Sequence, residues 1–515
     1  MKKIILSIVF AITLLSSCKD DIGDLFLNPN RSTTSKIEYL FAEANSNKGA
    51  GLRENYGTGY ALVLPKIFQW TQVTASKTAD ENMMDLSAGT ISTSWTAYYV
   101  NFLSKVSEMG ALYEKLSEKE QVSYDIYLNL IKIVRANATS KTTDLYGSIP
   151  FSEAAKSRLI KNQIIFPKFD TQKEIYEFLL KDLKEVDDFL KSFQFNDEDL
   201  VHITLSNQDL LNGGDIDKWI KLNNSLRLRF AMRISDANSE LAKTTLKEIV
   251  NRPLVLTNED NILEEAKGPD GLNTNGGDGK FIGRAFKDLN HYAYAGKIMV
   301  DIMNESKDPR RAFYFSKNED GDYVGVPSSP RTKPSGSDIT TKEYSKINHE
   351  LIKDNEFLPG IVITASEVYF LLAEAAMKGY ISGNAKEYYD EGLRTSIQFY
   401  YNLVKLNTNA NPMLPVTSDV DNFINSSTVK HDGTIKQLAT QKWIHFGVIQ
   451  AKEGYADYRR FDYPILEVNY PVVGDLMEMP LRITIPDGER LRNEENYRKI
   501  QAADKVDNRV WWDIK

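Results

Sequence analysis

Apolar residues recur at spacings of three and four along most of the chain, which is the period of an amphipathic helix. The aromatic-rich stretch WTAYYVNFLSKV, residues 95–106, shows the pattern clearly, since its apolar side chains share one helix face: Trp95, Tyr98, Tyr99, Phe102 and Val106. The same period continues through 118–147, 169–190 and 216–235. The hydrophobic pattern therefore predicts a mainly helical protein.

Turn-forming and capping residues mark the ends of several of these helices. Gly147 is placed to end the helix of residues 118–147, and Pro150 stops any continuation. Asp170 and Thr171 are candidate N-caps of the next helix. Because no linker interrupts the series of helices and turns, the pattern favours one continuous domain.

The stretch 361–402 has the pattern of two helices around the break GYISG, residues 379–383. Small Ala373 and Ala376 on the first helix would face bulky Tyr388 and Leu393 on the second, which is the interlocking that stacked helix pairs use. The unit resembles a tetratricopeptide helix pair. The spacing along the chain is not regular enough to indicate a repeat array.

Residues 251–359 differ from the rest because they are rich in glycine, proline and polar loops, such as 268–280 and 324–337. A long irregular stretch inside a compact protein is commonly functional or an insertion. GGDGK at 276–280 could cradle an anion or contribute to a calcium site, but its spacing does not fit an EF-hand. We therefore predict no cofactor and no metal site.

The first residues have the composition of an export signal. Lys2 and Lys3 precede the apolar run 4–15, which has signal-peptide rather than transmembrane length. Cys18, the only cysteine among 515 residues, completes the sequence LSSC. This sequence resembles a bacterial lipobox, at which a diacylglycerol is attached to the cysteine before cleavage on its N-terminal side. An ordinary secretory signal with an incidental cysteine is the alternative.

From these features we predict a lipoprotein signal peptide at 1–17, lipidation of Cys18, a polar flexible tether at 18–47 and a single domain at 48–515. A single cysteine excludes an internal disulfide and a multi-cysteine metal site. KDD at 19–21 looks like the signal that directs lipoproteins of Bacteroidetes to the outer face of the outer membrane. Beyond the signal peptide, no apolar stretch approaches the ~20 residues that span a bilayer.

Sequence signatures of common enzyme classes are absent. The five histidines have no metal-ligand spacing, and HExxH, GxSxG and GxxxxGK[ST] do not occur. The formal net charge of −8 argues against nucleic acid as a partner, because phosphate binding needs a basic face. Among 71 acidic residues no carboxylate pair can be assigned, so a glycoside hydrolase stays open as an alternative. We predict no catalytic residues.

Aromatic residues provide the candidate binding chemistry, with 26 Tyr, 23 Phe and 6 Trp. Sugars present apolar C–H faces ringed by hydroxyls, which suit stacking on Trp or Tyr and hydrogen bonds from polar neighbours. The candidate ligand-binding residues are Trp70 beside glutamines, Tyr98, and the loop residues Tyr292 and Tyr294 in NHYAYAG. Trp95, Tyr99 and Phe102, at helical spacing, are expected in the core.

Eight strings, in order, resemble the SusD/RagB-like family, in particular its SusD-like lipoproteins. They are TTDLYGSIPFSEA (142–154), FDTQKEIYEFLLKDL (169–183), GGDIDKWIKLNNSLRLRFAMRIS (213–235), DPRRAFYF (308–315), YVGVP (323–327), ITASEVYFLLAEAAMKG (363–379), TQKWIHF (440–446) and YADYRRFDYPIL (455–466). With the lipobox and the terminal VWWDIK, the similarity covers nearly the whole chain. In these strings, Glu367 and Glu374 lie seven apart and are predicted to pair with Arg459 or Arg460.

The resemblance implies an all-α fold, with a tetratricopeptide-like helix-pair scaffold and a loop-rich ligand-binding half. It also implies a partner, a SusC-type TonB-dependent outer-membrane transporter, over which the lipid-anchored protein sits as a hinged lid that delivers an oligosaccharide without bond cleavage. Peptide cargo, as in RagB-like members, is one alternative, and a surface glycoside hydrolase is another. Since the binding aromatics differ between members of the family, the resemblance assigns no ligand-contacting residue.

Overall fold

The structure, a computed structural model, describes residues 35–45, 56–78, 86–156, 165–264, 282–329, 332–467 and 479–515. The predicted signal peptide, Cys18 and the GGDGK sequence lie outside the described residues. The predicted start of the domain at residue 48 also lies outside them, so the domain boundaries stay predictions.

The described chain is mostly helical, which confirms the predicted all-α fold. In chain order the helices are α1 (Ile37–Ala44), α2 (residues 56–70, π-helical over Gly59–Ile67), α3 (residues 88–113, π-helical over Ala97–Leu103), α4 (Glu118–Tyr146), α5 (Gln172–Ser192), α6 (Leu200–Gln208), α7 (Ile216–Arg233), α8 (Ser239–Ile249), α9 (Ile282–Asp288), α10 (Lys297–Glu305), α11 (Arg311–Tyr314), α12 (Ala365–Met377), α13 (Ala385–Lys405), α14 (Thr417–Ile424), α15 (Ile435–Phe446), α16 (Ala451–Phe461), α17 (Asp487–Arg492) and α18 (Glu494–Arg498). None of the described helices is both long and apolar enough to span a bilayer.

Short strands join segments that are distant in sequence. They are β1 (Thr74–Ala75), β2 (Ile149–Pro150), β3 (Phe169–Asp170), β4 (Ile262–Glu264), β5 (Tyr294–Ala295), β6 (Phe315–Ser316), β7 (Lys346–Ile347) and β8 (Gly360–Ile363). One antiparallel sheet has the order β1-β5-β7-β6, while β2 pairs with β3 and β4 with β8.

The helix ends follow local capping chemistry. Thr171 caps α5 in a capping box with Glu174, as predicted from the sequence. Gly147 follows α4 with a φ of 73°, a conformation that glycine adopts without a steric penalty. The chain therefore turns sharply at Gly147, and α5 packs back against α4.

Helices α12 and α13 pack closely, as predicted for a tetratricopeptide-like pair. Ala373 and Leu393 are buried in one cluster with Phe370 and Tyr389. At Gly392 the helices approach so closely that a Cβ would lie 2.7 Å from the Phe370 ring. Small residues at the crossing bring the two helices together, which confirms this part of the fold prediction.

Part of the segment predicted as a flexible tether is folded. Residues Ile37–Ala44 form α1, and Ile37 and Phe41 are buried on its inner face. The Phe41 ring meets the Tyr127 ring edge-to-face, with 5.1 Å between centroids. One helical turn of apolar spacing is enough to dock this short segment on the core. The prediction of a flexible tether is therefore contradicted over residues 37–44, which form a helix packed on the core.

Buried ion pairs connect the helices of the scaffold. Arg229 Nη2 lies 2.7 Å from Glu367 Oε2, and Arg460 Nη2 lies 2.6 Å from Glu374 Oε1. The predicted pairing of Glu374 with Arg460 is confirmed, whereas Glu367 pairs with Arg229 instead of Arg459. Because all of these side chains are buried, each charge needs its partner.

The four-stranded sheet organises the segment that the sequence marks as loop-rich. Tyr294 of β5 lies opposite Ala75 of β1 on one side and opposite Lys346 of β7 on the other. Beyond β1, the backbone amide of Lys77 donates to the carbonyl of His291 at 2.7 Å. The sheet thereby brings the segments around residues 75, 292 and 346 side by side.

Candidate ligand-binding site

The four-stranded sheet brings together three of the four predicted ligand-binding residues. Tyr294 lies in β5, and Tyr292 lies in the 3₁₀ turn Asn290–Tyr292 that precedes it. Trp70 ends the helical run that leads into β1. Tyr98 lies apart from them in α3, where its hydroxyl is 2.8 Å from the Thr139 hydroxyl of α4.

Three of these four rings are buried. The exposed fraction is 1% for Trp70, 2% for Tyr98 and 4% for Tyr294. Trp70 packs against Tyr455 with 5.4 Å between ring centroids. A ring that is covered to this degree presents no face to a ligand. In this structure Trp70, Tyr98 and Tyr294 have packing roles, which corrects the expectation that they contact a ligand directly.

Tyr292 remains a candidate contact because its side chain is only partly buried. Its ring lies 4.2 Å from the His291 ring, measured between centroids. Asn290 begins the same turn, and its side-chain oxygen accepts a hydrogen bond from Lys346 Nζ at 3.2 Å. The turn therefore places aromatic rings beside an amide, although ligand contact by Tyr292 stays a prediction.

Two tyrosines that are absent from the sequence-based prediction, the partly buried Tyr56 and the exposed Tyr60, lie close to this turn. Tyr56 and Tyr60 are four residues apart on α2, with 5.6 Å between ring centroids, and Tyr60 is 45% exposed. The Tyr56 hydroxyl donates to Asp288 Oδ2 at 3.1 Å, and Arg284 Nε donates to the same carboxylate at 3.0 Å. The spacing in YGTGY is a local signal for this pair, since side chains at i and i+4 share a helix face.

The electrostatics of this group keep Asp288 ionised. The hydrogen bond from Arg284 lowers the pKa of Asp288, while burial and the bond to Asp288 raise the pKa of Tyr56. At neutral pH the site presents a neutral phenol, a carboxylate and a guanidinium beside two aromatic rings. Donors and acceptors next to aromatic faces match a ligand that has both hydroxyl groups and an apolar face.

We call this surface the loop face. It consists of Tyr56, Tyr60, Arg284, Asp288, Asn290, His291, Tyr292 and Lys346. Helix α9 connects its two ends, because Asp288 closes that helix beside Tyr56 and the turn with Tyr292 follows directly. Among the described residues, no group of three or more His, Cys, Asp or Glu side chains could hold a metal ion.

Two concave regions elsewhere on the molecule offer different chemistry. A cleft of about 960 Å³ lies beside α11 and the segment 412–416, and its aromatic residues Phe313 and Phe423 are buried. A pocket of about 540 Å³ lies near the C-terminus, where Trp512 is buried and Arg460 is paired with Glu374. Neither presents an exposed aromatic ring together with polar groups, so the loop face is the candidate site.

Comparison with known families identifies the class of the protein. The sequence model of the SusD-like family, described as "Starch-binding associating with outer membrane", matches residues 29–486. The chain belongs to the SusD-like family. This finding confirms the resemblance inferred from the eight strings. A search of curated protein sequences found no match.

Solved structures of SusD-like proteins share the fold. A chitin-binding protein has a TM-score of 0.76 and 22% identity, over 93% of this chain and 100% of its own. A chitin-binding SusD homologue from Flavobacterium johnsoniae has a TM-score of 0.71 and 23% identity, over 93% and 99% of the two chains. A SusD-like protein from Bacteroides thetaiotaomicron has a TM-score of 0.70 and 22% identity, over 93% and 99%. At these identities the similarity shows the fold alone.

Proposed function

We propose that this SusD-like protein is a cell-surface, glycan-binding lipoprotein that captures an oligosaccharide. The observation that carries the proposal is the loop face, where Tyr56 and the exposed Tyr60 lie beside the Arg284–Asp288 pair. The family description, and the chitin binding named for two related structures, support a carbohydrate as the ligand. Rigid aromatic rings offer a sugar a large contact area at a low entropy cost.

The polar groups of the loop face suit binding better than hydrolysis. A glycosidase needs a general acid whose carboxyl pKa is raised towards the working pH. The pKa of Asp288 is lowered instead, because Arg284 stabilises its carboxylate. We therefore assign no catalytic step to the loop face, and the protein releases the same oligosaccharide that it binds.

The proposal includes an anchor and a partner, both supported by the family resemblance. A lipid on Cys18 would hold the protein at the outer membrane, facing the cell exterior. A SusC-type TonB-dependent transporter is the proposed recipient of the oligosaccharide, with this protein as its lid. Co-purification from detergent-solubilised outer membrane tests the partnership, since a β-barrel of this class should accompany the protein. Isolation of the protein without any such barrel would contradict the lid role.

Glycan binding is tested by isothermal titration calorimetry against panels of oligosaccharides and peptides. We expect at least one oligosaccharide to bind, and the double variant Tyr56→Ala/Tyr60→Ala to bind it at least ~10-fold more weakly, because buried ring area is lost from the complex. Tyr39→Ala is the matched control. Tyr39 is also exposed, at 50%, but it lies on α1, which packs against α3, α4 and α6.

Each possible result has a separate meaning. Normal binding by a folded Tyr56→Ala/Tyr60→Ala variant would show that the loop face is not the site. Peptide binding without glycan binding would favour the peptide-carrying alternative. New reducing ends after incubation of the protein with oligosaccharides would favour a hydrolase.

A further inference from the structure

Lys346 of the loop face has two further lysines among its neighbours. We call Lys77, Lys346 and Lys353 the cationic patch; they lie just beyond β1, in β7 and in the turn after β7. Among the residues that the structure describes, no carboxylate forms an ion pair with any of the three. The whole chain has a formal net charge of −8, so this local excess of cations opposes the overall charge.

Lys346 is held in position from two sides. Its Nζ lies 4.5 Å from the centroid of the Tyr294 ring, directly across the β5–β7 pair, and it donates to Asn290 Oδ1 at 3.2 Å. The aromatic face and the amide oxygen fix the ammonium group without neutralising it. An ammonium has three donors, so Lys346 keeps hydrogen-bonding capacity for a ligand.

The neighbouring groups make this position electropositive. Burial, and then the charges of Lys353 and Lys77, lower the pKa of Lys346. Burial and Lys353 also lower the pKa of His349, against an opposite effect of Asp354. The turn also contains the acidic residues Glu350 and Asp354, and the Asp354 carboxylate lies 3.9 Å from Lys287 Nζ. At neutral pH, His349 is therefore an uncharged hydrogen-bonding group among lysines that repel one another.

We infer that the cationic patch binds an anionic substituent, a carboxylate or a sulfate, of an oligosaccharide whose sugar ring lies on the tyrosines of the loop face. This inference rests on the proposed function and narrows the ligand to acidic glycans. An anion at Lys346 relieves the repulsion between the lysines and accepts charge-assisted hydrogen bonds. A neutral starch-type or chitin-type chain carries no anionic group, so it can neither relieve this repulsion nor accept charge-assisted hydrogen bonds.

The test is affinity electrophoresis of the purified mature protein in native gels that each contain one polysaccharide. Pectate, alginate and hyaluronan supply carboxylates and carrageenan supplies sulfates, whereas starch, laminarin and glucomannan are neutral. We expect at least one acidic polysaccharide to retard the protein, and its identity separates carboxylate from sulfate. Retardation should weaken when NaCl rises from about 50 mM to about 500 mM, because salt screens exposed charges.

Variants of Lys346 decide whether this side chain makes the contact. Lys346→Gln should bind the acidic polysaccharide about 10-fold more weakly, because a hydrogen bond to a charged group is lost. Lys346→Arg keeps the charge and should retain most of the binding. Lys173→Gln is the matched control and should bind normally, since Lys173 is an exposed lysine on α5 whose Nζ lies 3.9 Å from Glu177.

The outcomes separate this inference from the proposed function. Retardation by neutral polysaccharides alone would overturn the inference and leave the proposed function standing. Acidic binding that Lys346→Gln leaves unchanged, or that Lys173→Gln weakens equally, would also overturn it. If no polysaccharide retards the protein, both the inference and the proposed function fail.

Discussion

Glu374 lies at the centre of the buried charges in the scaffold, and Glu374→Gln measures what they contribute to stability. The Glu374 side chain is fully buried, with Oε1 2.6 Å from Arg460 Nη2 and Oε2 3.4 Å from Lys442 Nζ. Glutamine keeps the shape of the side chain and removes its charge. In the variant, Lys442 keeps Asp457 at 3.0 Å, and Arg460 keeps Asp457 at 3.3 Å and Asp236 at 3.9 Å.

The loss of stability expected for Glu374→Gln follows from the pKa of Glu374 and, independently, from the general cost of breaking a buried ion pair. Burial alone would raise the pKa of Glu374, but Arg460 and Lys442 lower it from 4.5 to about 2. A difference of this size corresponds to about 3 kcal/mol of stability at neutral pH. Removal of one partner from a buried ion pair costs roughly 3–5 kcal/mol in general. The unfolding entropy of a chain of this length is about 1 kcal/mol/K, so we expect Tm to fall by about 3 °C.

Differential scanning calorimetry over a range of pH tests this prediction. The contribution of Glu374 is complete above pH 4.5, where the carboxyl of the unfolded chain is ionised, and it is lost as the pH falls towards 2. The difference in Tm between the wild type and Glu374→Gln should therefore be present at neutral pH and narrow in acid.

Glu240→Gln is the matched control for this experiment. Glu240 is 85% exposed and pairs with Lys243 at 3.0 Å, so its loss should cost less than about 1 kcal/mol. Equal Tm values for Glu374→Gln and the wild type at neutral pH would refute the reasoning. A difference in Tm that stays constant across the acidic range would refute it as well.

Two further predictions concern His445 and Cys18. His445 is buried between the hydroxyls of Thr364, at 2.8 Å, and Ser396, at 2.9 Å, and burial and Arg310 lower its pKa from 6.5 to about 3. As the pH is lowered from 6.5 towards 3, the unfolded chain takes up a proton at this histidine and the folded protein does not, so the stability of the protein should fall. His445→Gln should lack this part of the pH dependence of Tm. Identical pH profiles of Tm for the variant and the wild type would contradict the prediction. Cys18→Ser should give folded protein that is absent from the membrane fraction, and membrane retention like that of the wild type would contradict lipidation.

Much of the scaffold could be predicted from the sequence, because its helix ends are set by neighbouring residues and its buried charges require partners of opposite sign. Thr171 and Gly147 act through their own backbone neighbours, so a short window of sequence is enough to place the ends of α4 and α5. The partner of Glu374 could be predicted because a buried carboxylate needs a cation, and the sequence offers Arg459 and Arg460 as candidates. The same reasoning gave Glu367 the wrong partner, because the arginine that lies beside it is set by the packing of α7 on α12, which the sequence does not show.

The loop face could not be assembled from the sequence in the same way. Tyr56 and Tyr60 have a local signal, but the proximity of Lys346 to Tyr294 depends on β5 and β7, which are two residues each and leave no periodic pattern. Trp70 resembles a loop aromatic because glutamines flank it, yet Tyr455, far along the chain, covers its ring. Burial that depends on distant segments has no signature in a short window of sequence.

Cations have different surroundings in the buried ion pairs of the scaffold and in the cationic patch. In the scaffold, Arg229 and Arg460 each meet a carboxylate at 2.6 to 2.7 Å, and these bonds fix the helices relative to one another. In the cationic patch, Lys346 meets an aromatic ring and an amide oxygen while other lysines repel it. Such repulsion lowers the stability of the free protein slightly, and a bound anion removes it. An acidic ligand therefore gains binding free energy from the relief of this repulsion, and a neutral ligand does not. This difference is the physical reason to expect the loop face to select acidic oligosaccharides.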